Sequence, residues 1–84
     1  MVMPQPRLVS VTPQDACRLL LSFEGEPDRE FDVSPYANGP WYGELAEASY
    51  FRQVRVTGDG SGVTWPHGQD IAPHELYELS VPVA

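Results

Sequence analysis

The chain has 84 residues, enough for a single domain that holds one hydrophobic core and leaves little room for a deep internal cavity. Twelve acidic residues face five arginines, and the net charge at pH 7 is −7. This charge repels phosphate backbones and anionic lipid, so direct nucleic-acid binding and membrane attachment are not expected. It favours a basic partner. The simpler interpretation is that the acidic surface only keeps the protein soluble.

Strands are predicted from runs of β-branched and alternating apolar residues. The clearest strand is 17–24, in which Leu19, Leu21 and Phe23 lie on one face. It is expected to form a hairpin with the next strand. The glycine-rich stretch 58–62 is predicted to be a hairpin tip. The five predicted strands are 7–12, 17–24, 29–33, 51–57 and 63–65.

Helical structure is expected in two places. One or two helical turns are predicted within 36–50, and a short helix is predicted at 73–79 with Pro73 in its first turn. The fold class is therefore α+β: a small antiparallel sheet of about five strands with one or two short helices, the C-terminal helix being packed on the sheet. Residues 1–84 form one domain, in which 1–6 and 80–84 are expected to be flexible tails.

Cys17 is the only cysteine, so an internal disulfide is excluded. Its place in an apolar run predicts a buried small side chain rather than a nucleophile. The first residues lack the apolar core of a secretory signal, and no stretch approaches the ~20 apolar residues of a membrane span. A cytoplasmic location is the expectation.

The stretch 65–77 is interpreted as a folding motif. Trp65 ends a strand with a large apolar side chain, Pro66 ends the ladder, and Gly68 suits a turn with positive φ. Asp70 is predicted to accept hydrogen bonds from backbone donors near the start of the following helix. Ile71, Leu76 and Leu79 are expected to face the core. The predicted structural set is Trp65, Pro66, Gly68, Asp70, Ile71, Leu76 and Tyr77.

Several segments resemble a small bacterial family, domain of unknown function 2442 (DUF2442). The similarity is carried by 9–13, by "FDVSPY" at 31–36, by 50–56 and by "GVTWPHGQDIAPHELYE" at 62–78. The resemblance implies a compact α+β fold and no established enzyme activity, cofactor or catalytic residue. It also implies that members are often encoded beside another small protein, an arrangement similar to toxin–antitoxin pairs.

No motif for catalysis, a cofactor or a metal is recognised. The chain lacks a nucleophile elbow, a phosphate-binding loop and a paired-cysteine motif, so it is not expected to be an enzyme. Five residues near the C-terminus are metal-ligating in type, but their spacing matches no defined zinc motif, and no metal site is predicted. They are His67, Asp70, His74, Glu75 and Glu78.

The candidate binding residues are Tyr36, Trp41 and Tyr42, which lie in the least regular part of the chain. With Tyr50 they form either an exposed aromatic patch or the cover of the sheet. The first functional hypothesis is a protein-interaction module, an antitoxin-like partner of a basic protein encoded nearby. The alternative is a small-molecule or metal-sensing domain using Trp41 and Tyr42 or the two histidines. A homodimer through strand edges and the aromatic patch is also predicted.

Overall fold

The structure, a computed structural model, describes residues 6–83. Two antiparallel sheets share one core. The first sheet has the order β1-β2-β3-β7 and the second the order β4-β5-β6. The strands are β1 (Leu8–Gln14), β2 (Arg18–Phe23), β3 (Arg29–Asp32), β4 (Arg55–Val56), β5 (Val63–Thr64), β6 (Asp70–Ile71) and β7 (Val81–Pro82).

Helical structure links and covers the sheets. Two 3-10 segments, Ser34–Tyr36 and Tyr42–Ala46, precede the short helix α1 (Ala48–Phe51), and the longer helix α2 (Pro73–Leu79) follows β6. The α+β class and the bounds of α2 are as predicted from the sequence. No helix within residues 6–83 is long and apolar enough to cross a bilayer.

The meander β1-β2-β3 agrees with the sequence pattern. Leu19, Leu21 and Phe23 are buried, and β2 pairs with β3 as the predicted hairpin. The turn from β1 to β2 is less ordinary, because Ala16 and Cys17 both have positive φ, at 61° and 62°. A residue with a Cβ pays roughly 1–2 kcal/mol in that conformation, so this turn is held by its surroundings. The Cys17 carbonyl accepts a bond from the N–H of Val33 at 2.8 Å.

The second sheet corrects two predictions. The expected strand 51–57 is shortened to β4, because Phe51 ends α1 and the next two residues form a turn. Strand β6 is not among the five strands predicted from the sequence. The two sheets are joined at their margins, where the N–H of Leu8 donates to the carbonyl of Gly60 at 3.2 Å. The core therefore draws on both sheets, with Leu8 and Phe31 from the first and Val63 and Ile71 from the second.

The predicted C-terminal tail is wrong for the part of it that the structure describes. Strand β7 pairs with β3, and the N–H of Val83 donates to the Asp28 carbonyl at 2.9 Å. The Arg29 guanidinium donates to the Ser80 hydroxyl at 2.7 Å and to the Ser80 carbonyl at 2.8 Å. These bonds draw the segment after α2 onto the sheet. The other predicted tail, 1–6, falls almost wholly outside the described residues.

Helix α2 buries one of the two leucines expected to face inward. Leu76 is buried, α2 contacts β3, and the Tyr77 ring meets the Phe23 ring edge-on with centroids 5.3 Å apart. Leu79 is 64% exposed, so the prediction that it faces the core is wrong. A helix of only two turns covers little surface, and Leu79 lies in its last turn, where the chain leaves for the exposed strand β7.

Candidate functional site

A tight hairpin loop joins β5 to β6 and explains the conspicuous sequence around Trp65. The N–H of Gly68 donates to the Trp65 carbonyl at 2.9 Å, and the N–H of Trp65 donates to the Gln69 carbonyl at 3.0 Å. Pro66 occupies the second turn position, which proline favours, and Gly68 has a φ of 94°. The prediction that Gly68 takes a positive φ is confirmed.

Trp65 anchors this loop in the core. Its side chain is 2% exposed, and its ring lies beside that of Phe51, with centroids 5.9 Å apart. The indole N–H donates to the Phe51 carbonyl at 3.0 Å. A buried indole needs such an acceptor, so Trp65 fixes the loop to the end of α1 as well as filling the core.

Gln69 is the centre of a buried polar network. Its side chain is fully buried, and its amide nitrogen donates to the Trp41 carbonyl at 3.0 Å and to Glu44 Oε1 at 2.7 Å. Its amide oxygen accepts a bond from the Tyr50 hydroxyl at 2.7 Å. One glutamine thereby ties the segment before α1 to the hairpin loop. Losing it would remove one hydrogen bond from each of three polar partners, which is costly in a buried site.

A partly exposed histidine and carboxylate lie at the outer side of this network. His67 Nδ1 is 3.0 Å from both oxygens of Glu44, and the His67 ring stacks on Tyr50 with centroids 4.9 Å apart. The Tyr50 hydroxyl also accepts the His67 backbone N–H at 2.8 Å. The hydrogen bond from His67, helped by the one from Gln69, holds the pKa of Glu44 below its usual range.

Trp41 is presented to solvent from this frame. Its side chain is 49% exposed, and its ring meets the Tyr42 ring edge-on at 5.3 Å. A Cβ at Gly68 would lie 3.5 Å from Trp41 Cζ2, so the indole rests against the glycine of the hairpin loop. The Tyr42 hydroxyl donates to the Asp70 carbonyl at 3.0 Å. Both aromatic residues are thus fastened to the loop.

The exposed groups at this site include an aromatic ring and a carboxylate. An indole face attracts cations, and the Glu44 carboxylate lies close by, on the same amide nitrogen that holds the Trp41 carbonyl. We call the surface formed by Trp41, Tyr42, Glu44, His67 and Asp70 the Trp41 face. It contains no serine, threonine, cysteine or lysine nucleophile beside the His67–Glu44 pair.

Comparison with known protein families assigns the chain. The model of the family described as "Protein of unknown function (DUF2442)" matches residues 8–82, which is nearly the whole chain. The chain belongs to the DUF2442 family. Comparison with curated proteins and with solved structures finds no match. The resemblance inferred from the sequence is therefore confirmed at the level of the family.

The structure of this DUF2442 protein separates the three predicted binding residues. Trp41 and Tyr42 contact each other, whereas Tyr36 packs against Phe31 with ring centroids 5.7 Å apart. The Tyr36 hydroxyl donates to Glu75 Oε2 at 2.6 Å, and burial together with this bond raises the pKa of Tyr36 to about 12. Of the four aromatic residues considered for a patch, only Trp41 is exposed; the three tyrosines are half-buried.

The predicted structural set is placed as expected except at one residue. Ile71 and Leu76 are buried, and the Tyr77 hydroxyl donates to Glu26 Oε1 at 2.9 Å. Asp70 is not a helix cap, so that prediction is wrong. It lies in β6, its side chain is exposed, and Ala72 occupies the N-cap position of α2 with no side-chain cap. Extended backbone at Asp70 leaves it two residues too early to reach the first turn.

The metal-ligating residue types do not converge. Among residues 6–83 no three of His, Cys, Asp and Glu are grouped as a metal ion requires. Glu75 is engaged by Tyr36 and His67 by Glu44, while His74 and Glu78 are exposed on α2.

Sequence reasoning missed the residue that holds the DUF2442 site together. Gln69 was not among the residues selected from the sequence. It is nevertheless in phase with Val63, Trp65 and Ile71, which are all buried, and this period of two was the available signal. Its partners Glu44 and Tyr50 lie 25 and 19 residues away along the chain, a distance over which pattern analysis has no reach.

Proposed function

We infer that this DUF2442 protein is a non-enzymatic, cytoplasmic protein-interaction module whose Trp41 face binds a basic segment of another protein. The observation that carries the proposal is a half-exposed tryptophan whose backbone carbonyl shares a hydrogen-bond donor, the amide nitrogen of Gln69, with the Glu44 carboxylate. We propose further that the partner is a basic protein encoded nearby, which this acidic chain would bind as an antitoxin binds its toxin.

Rigidity is the first support. Trp41 is anchored through its carbonyl by Gln69, through its ring by Tyr42, and from below by Gly68. A side chain already ordered in the free protein loses little conformational entropy on binding. Tryptophan is also among the residues that most often dominate the energy of protein interfaces.

Charge is the second support. Glu44 and the exposed Asp70 lie on the Trp41 face, and the whole chain carries a net charge of −7. An arginine or lysine stacked on the indole gains a cation–π contact of about 0.5–2 kcal/mol. The surrounding negative field raises the association rate of a basic partner.

The proposal that the partner is encoded nearby rests on the family resemblance. DUF2442 resemblance implies frequent pairing with a second small gene, and the acidic composition complements a basic product. The same charge opposes a homodimer through this face. Two copies would place the carboxylates of Glu44 and Asp70 next to those of the second copy, and like charges repel. The predicted homodimer therefore stays a prediction, with a basic partner as the favoured occupant.

The test is co-expression with the product of the adjacent gene, followed by calorimetric titration. We expect Trp41→Ala to weaken binding at least tenfold and added salt to weaken it further. The control is Val9→Ala, which removes a similarly exposed apolar side chain from β1 and should leave binding unchanged. No binding at low salt would refute the pairing. Equal loss in both variants would refute the assignment to the Trp41 face.

The alternative of a small-molecule or metal sensor has less support at the residues first considered for it. The three hollows described in the structure, of about 340, 250 and 310 Å³, are lined by other residues than Trp41, Tyr42, His67 and His74. The first of these hollows combines apolar side chains with two residues of opposite charge.

A further inference from the structure

A groove of about 340 Å³ lies between the β1–β2 turn and the helical segment that contains α1. Its apolar base is formed by the buried side chains of Leu45 and Phe51. Cys17 stands on one wall and Ala48 on the other, and both are small enough to leave the space open. The volume is within the ~300–1,000 Å³ of small-molecule sites, at the lower end.

Two opposite charges stand on the rim of this groove. Asp15 belongs to the β1–β2 turn, and Arg52 follows α1 on the other side. The ion pairs among residues 6–83 are Arg18 with Glu30 and His67 with Glu44, so neither rim charge has a protein counter-ion within 4 Å. Both side chains also lack a hydrogen-bond partner in the described part of the chain and are exposed to solvent.

We propose that this groove binds a small zwitterionic molecule with an apolar body, of which a free apolar amino acid is the simplest. The apolar body lies on Leu45 and Phe51, where it displaces water from an apolar base. The ammonium group faces Asp15 and the carboxylate faces Arg52, each ion pairing across the rim.

The charges of the groove and of the whole chain favour a zwitterionic ligand over one that carries a single charge. A purely anionic ligand would meet Asp15 and the field of a chain with a net charge of −7. A purely cationic ligand would meet the guanidinium of Arg52. A zwitterion carries no net charge and gives each rim residue its counter-ion. The groove is lined by Leu45 and Ala46 rather than by the Trp41 face, so the inference does not rest on the proposed function.

Leucine is the probe with which to test this proposal. With ~9 non-hydrogen atoms at ordinary ligand efficiency, it should bind with a Kd on the order of 10 mM, which NMR titration measures. In a ¹⁵N-labelled sample we expect saturating shifts at the amides of Cys17, Ala48 and Arg52. The comparison ligands are 4-methylpentanoate, which lacks the ammonium group, and isopentylamine, which lacks the carboxylate. Each should bind at least threefold more weakly than leucine.

Variants assign the two charges. Asp15→Asn should remove the preference for leucine over 4-methylpentanoate, and Arg52→Gln should remove the preference over isopentylamine. Arg55→Gln is the matched control, an exposed arginine outside the groove, and it should bind leucine as the parent does. Ala48→Phe should fill the groove and abolish the shifts, while the rest of the amide spectrum shows that the chain is folded.

The outcomes are distinct. No saturating shift with leucine, or shifts outside the groove, overturns the site. Equal affinity for leucine and for either single-charge analogue overturns the proposal that the groove selects a zwitterion, and indicates a groove that binds apolar groups alone. Failure here leaves the Trp41 face untouched, since binding of the basic partner is measured separately.

Discussion

Replacing Gln69 with alanine tests whether the buried network holds the candidate site together. The change removes two donated bonds, one of them to the Glu44 carboxylate, and one accepted bond from Tyr50. A neutral hydrogen bond contributes about 0.5–1.5 kcal/mol and one to a charged group about 1.5–3 kcal/mol. The side chain is fully buried, so water cannot simply replace it. We expect a loss of about 3 kcal/mol in the free energy of unfolding.

For a domain of this size, a loss of about 3 kcal/mol lowers the Tm by roughly 12–24 °C. Urea unfolding followed by circular dichroism measures the free energy of unfolding. Acrylamide quenching of fluorescence reports on Trp41, whose ring should become more accessible to the quencher, while the buried ring of Trp65 should not. Gln53→Ala is the control, because this exposed glutamine makes only one long bond of 3.4 Å to the Ser49 carbonyl. It should cost less than about 0.5 kcal/mol.

A second variant separates the bonding pattern from the lost volume. Gln69→Glu keeps the shape but places carboxylate oxygen opposite Glu44 and the Trp41 carbonyl, which are both acceptors. It should be destabilised at pH 7 and should recover in part on acidification, when the new carboxyl is protonated and can donate one of the two bonds. A loss below about 1 kcal/mol in Gln69→Ala, or no recovery of Gln69→Glu at low pH, would refute the network as drawn.

Two further variants follow from close contacts elsewhere. Gly62→Ala should lower the free energy of unfolding in urea by about 2 kcal/mol or more, because its Cβ would lie 2.6 Å from the Ile71 carbonyl oxygen. The control Gly58→Ala has nothing within 4 Å of its Cβ and should be nearly neutral. Equal losses in the two variants would contradict the argument. Tyr36→Phe should remove an alkaline instability of the parent. The folded pKa of Tyr36 is about 12, above its unfolded value of ~10, so its contribution is complete below pH ~10 and is lost as the pH rises through 12. Thermal melts between pH 9 and 12 would show the parent losing more stability than the variant, and parallel curves would be evidence against the bond to Glu75.

Local patterns were enough for the elements whose residues share one strong periodicity. The alternation of Leu19, Leu21 and Phe23 located β2, and proline at the start of 73–79 located α2. Strands β6 and β7, which lie outside the predicted strands, have two residues each, too few for any alternation to show. They form because partners elsewhere supply hydrogen bonds, as Asp28 does for Val83. Tertiary contacts of that kind are not encoded in a local pattern.

The candidate site, like the fold, could be predicted from the sequence only in part. Trp41 could be selected because a large aromatic residue in an irregular segment is either core or interface, and the structure leaves it 49% exposed. Asp70 was misread because an acidic residue shortly before a helix often caps it, whereas here Asp70 begins a two-residue strand and Ala72 takes the N-cap position. Gln69 was overlooked because its value lies in partners far along the chain.

The edges of the four-stranded sheet bear on how this protein meets another chain. On β1, Pro13 is opposite Leu19 and has no N–H for the ladder, so its nitrogen faces the outer edge. On β7, the N–H of Val83 points to Asp28, and the alternation of an antiparallel ladder therefore turns Pro82 outward. Proline at an outward position removes the donor that an added strand would need, a common protection against edge association. Strand-to-strand pairing of a second copy at these two positions is thereby disfavoured.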